Sequence, residues 1–302
     1  MMAPVAEFRS VRSTDEAVTS LTELGADACV LAGGTDVMMQ YARHELAPVA
    51  FVHIEGIEEL AGVRRDGLMR MGALVTHRRL AEDAAIRTSN PALADAAATV
   101  GGWQTQSVGT LGGNVCNASP AADTAPPLLV ADATVELQRR GGTRRVPLEE
   151  FFLGRRHVDR RPEELLTAVE AEPLGSRQAE VYLKVGRRGA MVVAVVGLAA
   201  RLTFSERGAI SAARVALCSA APTPLRVRSV EQALVGLDPA LPGGLDSRSP
   251  SLRGAIDALA HAVSPIGDLR SSEAYRRAVL PRLLARAIET CRARAGVGVP
   301  EG

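Results

Sequence analysis

A run of glycines and small polar residues between positions 109 and 123 constrains this chain more than any other segment. Its sequence, Gly-Thr-Leu-Gly-Gly-Asn-Val-Cys-Asn-Ala-Ser-Pro-Ala-Ala-Asp, has the period of neither a helix nor a strand. Glycine allows backbone angles that side chains forbid and lets peptide N–H groups approach a ligand closely. The pattern predicts a binding loop. The alternative is a long solvated loop, in which Gly, Ser and Asn are also common.

A second glycine-rich stretch, Ala32-Gly33-Gly34-Thr35-Asp36, follows a short buried strand predicted over residues 29–31. A strand that ends in paired glycines can present several free backbone N–H groups to an anion such as a pyrophosphate. The stretch has no lysine of the kind found in a Gly-Lys-Ser/Thr phosphate loop, and it does not fit the Gly-x-Gly-x-x-Gly spacing. Neither common nucleotide-binding fold is therefore indicated.

These two segments belong to a set of five blocks that resemble the FAD-binding medium subunit or domain of the molybdenum hydroxylases. That family includes the carbon monoxide dehydrogenase medium subunit and the xanthine dehydrogenase FAD domain. The blocks follow the family's order and cover nearly the whole chain. They are Ala-Gly-Gly-Thr-Asp at 32–36, the 109–123 segment, Tyr182-Leu-Lys-Val-Gly-Arg-Arg, Val215-Ala-Leu-Cys-Ser-Ala-Ala-Pro-Thr-Pro, and Asp268-Leu-Arg-Ser-Ser-Glu-Ala-Tyr-Arg-Arg.

The resemblance implies an α+β chain: a two-part FAD-binding fold of the PCMH type, followed by a carboxy-terminal α+β domain with a small antiparallel sheet and helices. Local patterns give the expected division. Residues 1–55 form a first FAD-binding subdomain, 56–177 a second, and 178–302 the carboxy-terminal domain. Ser13 and Thr76 are predicted to begin helices, and residues 134–147 are predicted to form a hairpin around Gly141-Gly142.

The resemblance also implies a set of cofactor contacts. Gly33, Gly34 and Thr35 would carry the pyrophosphate on backbone N–H groups, Lys184 would lie near the flavin ring, and Leu166 would pack on it. The remaining expected residues shape the first turn or contact the diphosphate, ribityl and adenosine parts. They are Ala32, Asp36, Thr110, Gly113, Asn114, Asn117, Ser119 and Asp123. FAD is expected without a covalent bond, because Thr35 stands where flavoproteins that tether the ring commonly carry histidine.

The chain departs from the family at two places, before the Gly109-Thr110 pair and after the Arg187-Arg188 pair. Gln104-Thr-Gln-Ser replaces the common Gln-Val-Arg-Asn, so a positive charge is missing. Met191 and Val192 replace the Asp-aromatic pair whose ring shields one flavin face. Trp103, the only tryptophan, either offers a stacking surface or anchors the core, and the core role is favoured.

The chemistry implied by the resemblance is electron transfer, with no catalytic residue on this chain. Molybdopterin and iron–sulfur clusters would lie only on partner subunits, a small iron–sulfur subunit and a large molybdopterin subunit, arranged as a dimer of heterotrimers. The substrate would bind to another subunit. Two alternatives remain: a free-standing FAD-dependent oxidase or dehydrogenase acting directly on a small molecule, and a scaffold that no longer binds FAD.

Composition is consistent with this interpretation and excludes other classes. The net charge of +1 gives no electrostatic reason to expect nucleic acid. The longest apolar run, 190–200, is too short to span a bilayer, and the N-terminal residues do not resemble a signal peptide, so a cytoplasmic protein is expected. The four cysteines form no Cys-x-x-Cys pair, and the five histidines show no metal-protease spacing. No metal site or catalytic triad is therefore indicated.

Overall fold

The structure is a computed structural model that describes residues 5–238, 245 and 247–296. Three main sheets and one two-stranded pair lie along these residues, and three hydrophobic clusters form the core around the main sheets. The mixture of helices with small sheets is the α+β architecture that the sequence predicts.

The amino-terminal unit is a parallel sheet in the order β1-β3-β2, with helices between the strands. Ser13 precedes the first helix, and its hydroxyl accepts a hydrogen bond from the backbone N–H of Glu16, as the sequence predicts. Ala17 and Leu21 on that helix are fully buried in the unit's core. The elements are β1 (Glu7–Ser10), α1 (Thr14–Leu24), β2 (Ala28–Leu31), α2 (Val37–Ala42) and β3 (Ala50–His53).

The middle unit is built on an antiparallel sheet in the order β4-β5-β10-β6-β7. Its strands are β4 (Val63–Asp66), β5 (Leu68–Gly72), β6 (Thr134–Arg139), β7 (Gly142–Pro147), the short pair β8 (Phe152–Gly154) and β9 (His157–Val158), and β10 (Leu165–Ala171). The predicted hairpin is confirmed: Arg139 pairs with Gly142, and Gly141 takes φ +86° in the turn.

Seven helices of the middle unit connect these strands. They are α3 (His77–Glu82), α4 (Ala84–Ser89), α5 (Pro91–Ala97), α6 (Trp103–Val108), α7 (Leu111–Asn117), α8 (Ala125–Val130) and α9 (Leu148–Phe151). Thr76 caps α3 as the sequence predicts, because its hydroxyl accepts a hydrogen bond from the N–H of Arg79.

The carboxy-terminal unit is an antiparallel sheet in the order β11-β12-β13-β14, with helices on one face. Its elements are β11 (Gln178–Val185), β12 (Val196–Phe204), β13 (Ile210–Cys218), β14 (Leu225–Arg226), α10 (Arg228–Leu234), α11 (Arg253–Ala262) and α12 (Glu273–Arg294).

This last sheet is buried on both faces, because its second face joins the core of the middle unit. Tyr182, Ala199 and Ala216 lie side by side across three strands and belong to the middle unit's cluster. Val181 and Leu198, the neighbours of two of these residues along the strands, belong instead to the cluster with α10 to α12. The two units therefore share a continuous apolar contact.

The 109–123 segment is the main departure from the predicted elements. Its central residues are not a loop but the helix α7, which Thr110 begins by accepting a hydrogen bond from the N–H of Gly113. Glycines and asparagines disfavour a helix, so tertiary contacts hold it: Leu111 and Val115 are fully buried.

The helices found among residues 5–238, 245 and 247–296 are all too short or too polar to cross a bilayer. The same residues contain no group of three or more His, Cys, Asp or Glu side chains placed to hold a metal ion.

Candidate cofactor-binding site

A cavity of about 550 Å³ lies between the amino-terminal and middle units. One wall is formed by β2 and residues 32–36, and the opposite wall by α7, the start of β10 and residues 156–160. Ten of the thirteen residues expected from the sequence lie along it, and three do not. The ten are Ala32, Gly33, Gly34, Thr35, Asp36, Thr110, Gly113, Asn114, Asn117 and Leu166.

The two glycine segments are in direct contact at this cavity. A Cβ atom at Gly33 would overlap the carbonyl oxygen of Val108 and lie 2.5 Å from its carbonyl carbon. A Cβ atom at Gly109 would lie 2.7 Å from the carbonyl oxygen of Thr105 and 3.5 Å from the hydroxyl of Thr35. Glycine is required at position 33 because the Val108 backbone occupies the space of a side chain there, and at position 109 because the carbonyl oxygen of Thr105 in α6 does so.

Gly34 provides the bend between β2 and α2. Its φ is +69°, a left-handed conformation that glycine adopts without strain, and its carbonyl oxygen accepts the N–H of Met38 at the start of the helix. Asp36 then faces the cavity. Burial raises the pKa of Asp36 from its ordinary value, and the Arg156 charge and a hydrogen bond from Asn117 oppose this rise.

One polar side chain of α7 reaches the opposite wall, and another is held within the middle unit. The Asn117 side-chain oxygen accepts a hydrogen bond of 3.1 Å from Gln40 of α2, and the Asn114 side-chain oxygen accepts one of 2.7 Å from the hydroxyl of Thr124. Farther along the rim, Arg156 forms an ion pair of 2.7 Å with Glu45. Thus Asn117, Gln40 and the Glu45–Arg156 pair hold the amino-terminal unit against the middle unit beside the cavity.

His77 is a cavity residue that the sequence analysis missed. Its ring is 2% exposed and packs on Gly109, where a Cβ would lie 3.1 Å from the ring carbon Cδ2. Burial lowers the pKa of His77 to about 4, so the ring is neutral at physiological pH. Its Nδ1 atom has no hydrogen-bond partner among the described residues. A buried polar atom without a partner beside a cavity is suited to a polar ligand. The sequence feature that could have drawn attention to His77 is its position directly after Thr76, the residue that caps α3.

Three expected residues lie away from the cavity. Ser119 accepts a hydrogen bond of 3.3 Å from the backbone N–H of Ala121. Asp123 and Lys184 are buried and bound to each other, with 2.7 Å between the Lys184 Nζ and an Asp123 carboxylate oxygen. Contact of any of the thirteen residues with FAD stays a prediction.

Trp103 does not anchor the core, so the favoured role for it is wrong. Its side chain is 64% exposed, and the Arg78 guanidinium lies 3.6 Å from the centre of its ring. Met191, which stands near the position of the family's shielding aromatic, packs instead on Gly102, where a Cβ would lie 2.8 Å from the Met191 sulfur. Trp103 therefore remains available as an exposed aromatic surface next to the 109–123 segment.

Comparisons with known proteins agree with these features over nearly the whole chain. Residues 5–171 match the family model described as "FAD binding domain in molybdopterin dehydrogenase", and residues 181–291 match "CO dehydrogenase flavoprotein C-terminal domain". The chain is 30% identical to the xanthine dehydrogenase FAD-binding subunit of Escherichia coli, with 98% of this chain and 99% of that protein covered.

Carbon monoxide dehydrogenase of Hydrogenophaga pseudoflava is similar in both sequence and structure. Its medium chain is 27% identical to this chain, with 97% of this chain and 99% of the medium chain covered. A solved structure of that enzyme, in a form that lacks the Mo-pyranopterin moiety of the molybdenum cofactor, aligns with a TM-score of 0.89 at 28% identity and covers 97% of this chain and 99% of that one.

Proposed function

The chain belongs to the family of FAD-binding subunits of the molybdenum hydroxylases, and we propose that it holds FAD in the cavity between its amino-terminal and middle units. It is an FAD-dependent oxidoreductase subunit that passes electrons from iron–sulfur clusters to an external acceptor. FAD supplies a carrier that exchanges one or two electrons, and the protein's part is to bind, orient and tune it.

The contact between the two glycine segments is the observation that carries the proposed binding site. A volume of about 550 Å³ falls within the roughly 300–1,000 Å³ typical of ligand cavities. Residues 33–35 line the cavity where the 32–36 segment meets Gly109, and the unpartnered Nδ1 of His77 lies at the same junction. Backbone N–H groups and neutral donors at this point suit a pyrophosphate and the ribityl hydroxyls.

We assign the thirteen residues in three groups. Gly33, Gly34 and Thr35 hold the pyrophosphate, and the other seven cavity residues surround the remainder of the dinucleotide. Ser119, Asp123 and Lys184 act from outside the cavity wall. The proposed domain boundaries, 55/56 and 177/178, place the cofactor between the first two subdomains and Lys184 on the third.

The proposed partners are a small iron–sulfur subunit and a large molybdopterin subunit. The relative in Hydrogenophaga pseudoflava is a medium chain, a term that places it between a smaller and a larger one. We extend this to a dimer of heterotrimers, and we place the complex in the cytoplasm as the sequence predicts. A free-standing oxidase and a scaffold without FAD are less well supported, since the relatives of nearly equal length are subunits of dehydrogenases.

Affinity purification from the native host tests this function. The tagged chain should carry one FAD and should appear in native mass spectra together with an iron–sulfur subunit and a molybdopterin subunit. The chain alone should bind FAD yet hydroxylate no organic substrate. Recovery of the chain only as itself, with turnover of a small molecule by oxygen or NAD, would favour the free-standing oxidase instead.

A further inference from the structure

A buried polar chain connects the middle and carboxy-terminal units behind the cavity. The Tyr182 hydroxyl donates a hydrogen bond of 2.6 Å to one oxygen of Asp123, and the Lys184 ammonium donates one of 2.7 Å to the other. The ammonium also donates to the carbonyl oxygen of Thr99 at 2.8 Å. Asp123 and Thr99 belong to the middle unit, whereas Tyr182 and Lys184 are on β11.

The fold leaves a specific space for the tyrosine hydroxyl. A Cβ atom on Gly197 of β12 would overlap that hydroxyl and lie 2.6 Å from the Cys218 sulfur. The Cys218 thiol lies 3.6 Å from the hydroxyl, and burial raises the pKa of the thiol to about 12. Burial also raises the pKa of Tyr182 well above its usual value, so both groups are neutral near pH 7.

These contacts occupy both oxygens of Asp123, whose side chain is 7% exposed. Its carboxylate is therefore directed at protein groups and not at the cavity. Lys184 has three N–H donors, and Asp123 and Thr99 take two of them. Val100, next to Thr99, lines the cavity, so the ammonium lies one residue behind the cavity wall.

We infer that Tyr182 and Asp123 are positioning residues that act on the flavin through Lys184. This inference rests on the proposed binding of FAD in the cavity. A positive charge near the flavin stabilises the negative charge that the ring gains on reduction, and so favours the reduced form. Asp123 opposes that field because its charge has the opposite sign. The hydrogen bond from Tyr182 withdraws charge from the carboxylate and fixes its orientation, which leaves more of the Lys184 field at the flavin.

Two conservative variants should shift the equilibrium between oxidised and reduced flavin in opposite directions. Tyr182→Phe removes the hydrogen bond to Asp123. The Asp123 carboxylate then neutralises the Lys184 charge more fully, which disfavours the reduced flavin. Asp123→Asn removes the opposing charge and favours the reduced flavin. In the Asp123→Asn background, Tyr182→Phe has no charged carboxylate on which to act, and its effect disappears.

The test is a redox equilibrium of the FAD-loaded protein against a reference dye, after FAD content has been measured for every variant. At a fixed ratio of reduced to oxidised dye, the ratio of reduced to oxidised flavin should fall about threefold in Tyr182→Phe. The change is this small because only part of the energy of a charge-assisted hydrogen bond reaches the flavin ring. It should rise in Asp123→Asn and stay at that raised value in the double variant. Tyr275→Phe, at a tyrosine that is 51% exposed, is the matched control and should change nothing.

Two results would overturn the inference while FAD remains bound. One is an unchanged ratio in both single variants, and the other is an equal effect of Tyr182→Phe with and without Asp123→Asn. Lys184→Gln is an independent test. It should lower the ratio of reduced to oxidised flavin both in the unaltered chain and in the Tyr182→Phe variant. Failure of the unaltered chain to bind FAD would instead contradict the proposed function.

Discussion

Gly33 lies against the backbone of Val108 so closely that a Cβ atom on the glycine would be 2.5 Å from the Val108 carbonyl carbon. The 32–36 and 109–123 segments, about seventy residues apart, are thereby joined at the cavity. Gly33 belongs to a segment that resembles a family motif for cofactor binding. It also has a structural role, because the absence of a side chain lets the two binding segments pack against each other.

Replacement of Gly33 by alanine should reduce both FAD content and stability. The added methyl group overlaps backbone, which cannot move away as a side chain can, so we expect a loss of about 1–3 kcal/mol or more in the free energy of unfolding. Denaturant unfolding and the flavin absorbance per chain measure the two effects.

Gly142→Ala is the matched control, because a Cβ atom added there on β7 would have no described atom within 4 Å. That variant should keep its flavin and its stability within about 0.5 kcal/mol. A Gly33→Ala protein that is folded and fully yellow would show that the two segments do not depend on this contact.

Acid precipitation should release the flavin from the chain, because Thr35 occupies the position from which histidine tethers the ring in related flavoproteins. Thr35 cannot form the link that histidine makes at that place in tethered flavoproteins. The cavity thiols of Cys29 and Cys116 stay protonated: burial raises the pKa of both, to about 11 for Cys29. Yellow colour that stays with the precipitated protein would contradict this expectation.

His77 should make stability depend on pH between about 6.5 and 4. The native pKa of about 4 lies below the usual 6.5, so the unfolded chain takes up a proton in this window while the native ring stays neutral. The stabilisation is complete above pH 6.5 and is lost as the pH falls towards 4, up to about 3 kcal/mol. His77→Asn should flatten that part of the profile, measured as the unfolding free energy at a series of pH values. Equal slopes for both proteins would be the contrary result.

The same residue should also contribute to FAD affinity through its Nδ1 atom. An asparagine amide reaches roughly the position of Nδ1, and a glutamine amide roughly that of Nε2, so the two variants separate the ring nitrogens. Loss of one hydrogen bond should weaken FAD binding about fivefold or more in His77→Gln and little in His77→Asn. Titration of the apoprotein with FAD, followed by quenching of flavin fluorescence, gives both dissociation constants. A reversed order would assign the contact to Nε2.

The buried pair Glu180–Arg201 should be important for the stability of the carboxy-terminal unit. Its two side chains are 1% and 2% exposed and lie 2.6 Å apart, and Glu180 also accepts the backbone N–H of Ala92. Glu180→Ala leaves the arginine charge buried without its partner, which costs about 3–5 kcal/mol. Glu206→Ala, at the exposed pair with Arg177, should change stability by about 0.5 kcal/mol at most. Chemical denaturation of both variants makes the comparison, and similar losses would count against it.

Local signals explain what the sequence predicts well. Ser13 and Thr76 begin helices because a capping hydroxyl acts within its own turn, and the β6–β7 hairpin follows from adjacent glycines. The sequence does not predict helix α7, because this helix depends on tertiary contacts. The N–H of Leu111 donates a hydrogen bond to the carbonyl oxygen of Val75, and Gly112 packs on Ala73.

In the candidate site, too, local sequence predicts some features, whereas others depend on tertiary contacts. The glycine motifs identify the cavity because they are local. His77 was missed because its meaning depends on burial against Gly109, which a single sequence does not display. The motif residue Asp123 has its partners 59 and 61 positions away, so its engagement by Tyr182 and Lys184 could not be read from spacing.

A structure of the FAD-loaded chain within its complex would locate the cofactor. We expect dinucleotide density in the cavity between the amino-terminal and middle units, with the pyrophosphate against Gly33, Gly34 and Thr35 and a polar group of the cofactor at His77. Density for FAD at another place in the chain, or a purified complex whose flavin lies on a different subunit, would contradict it.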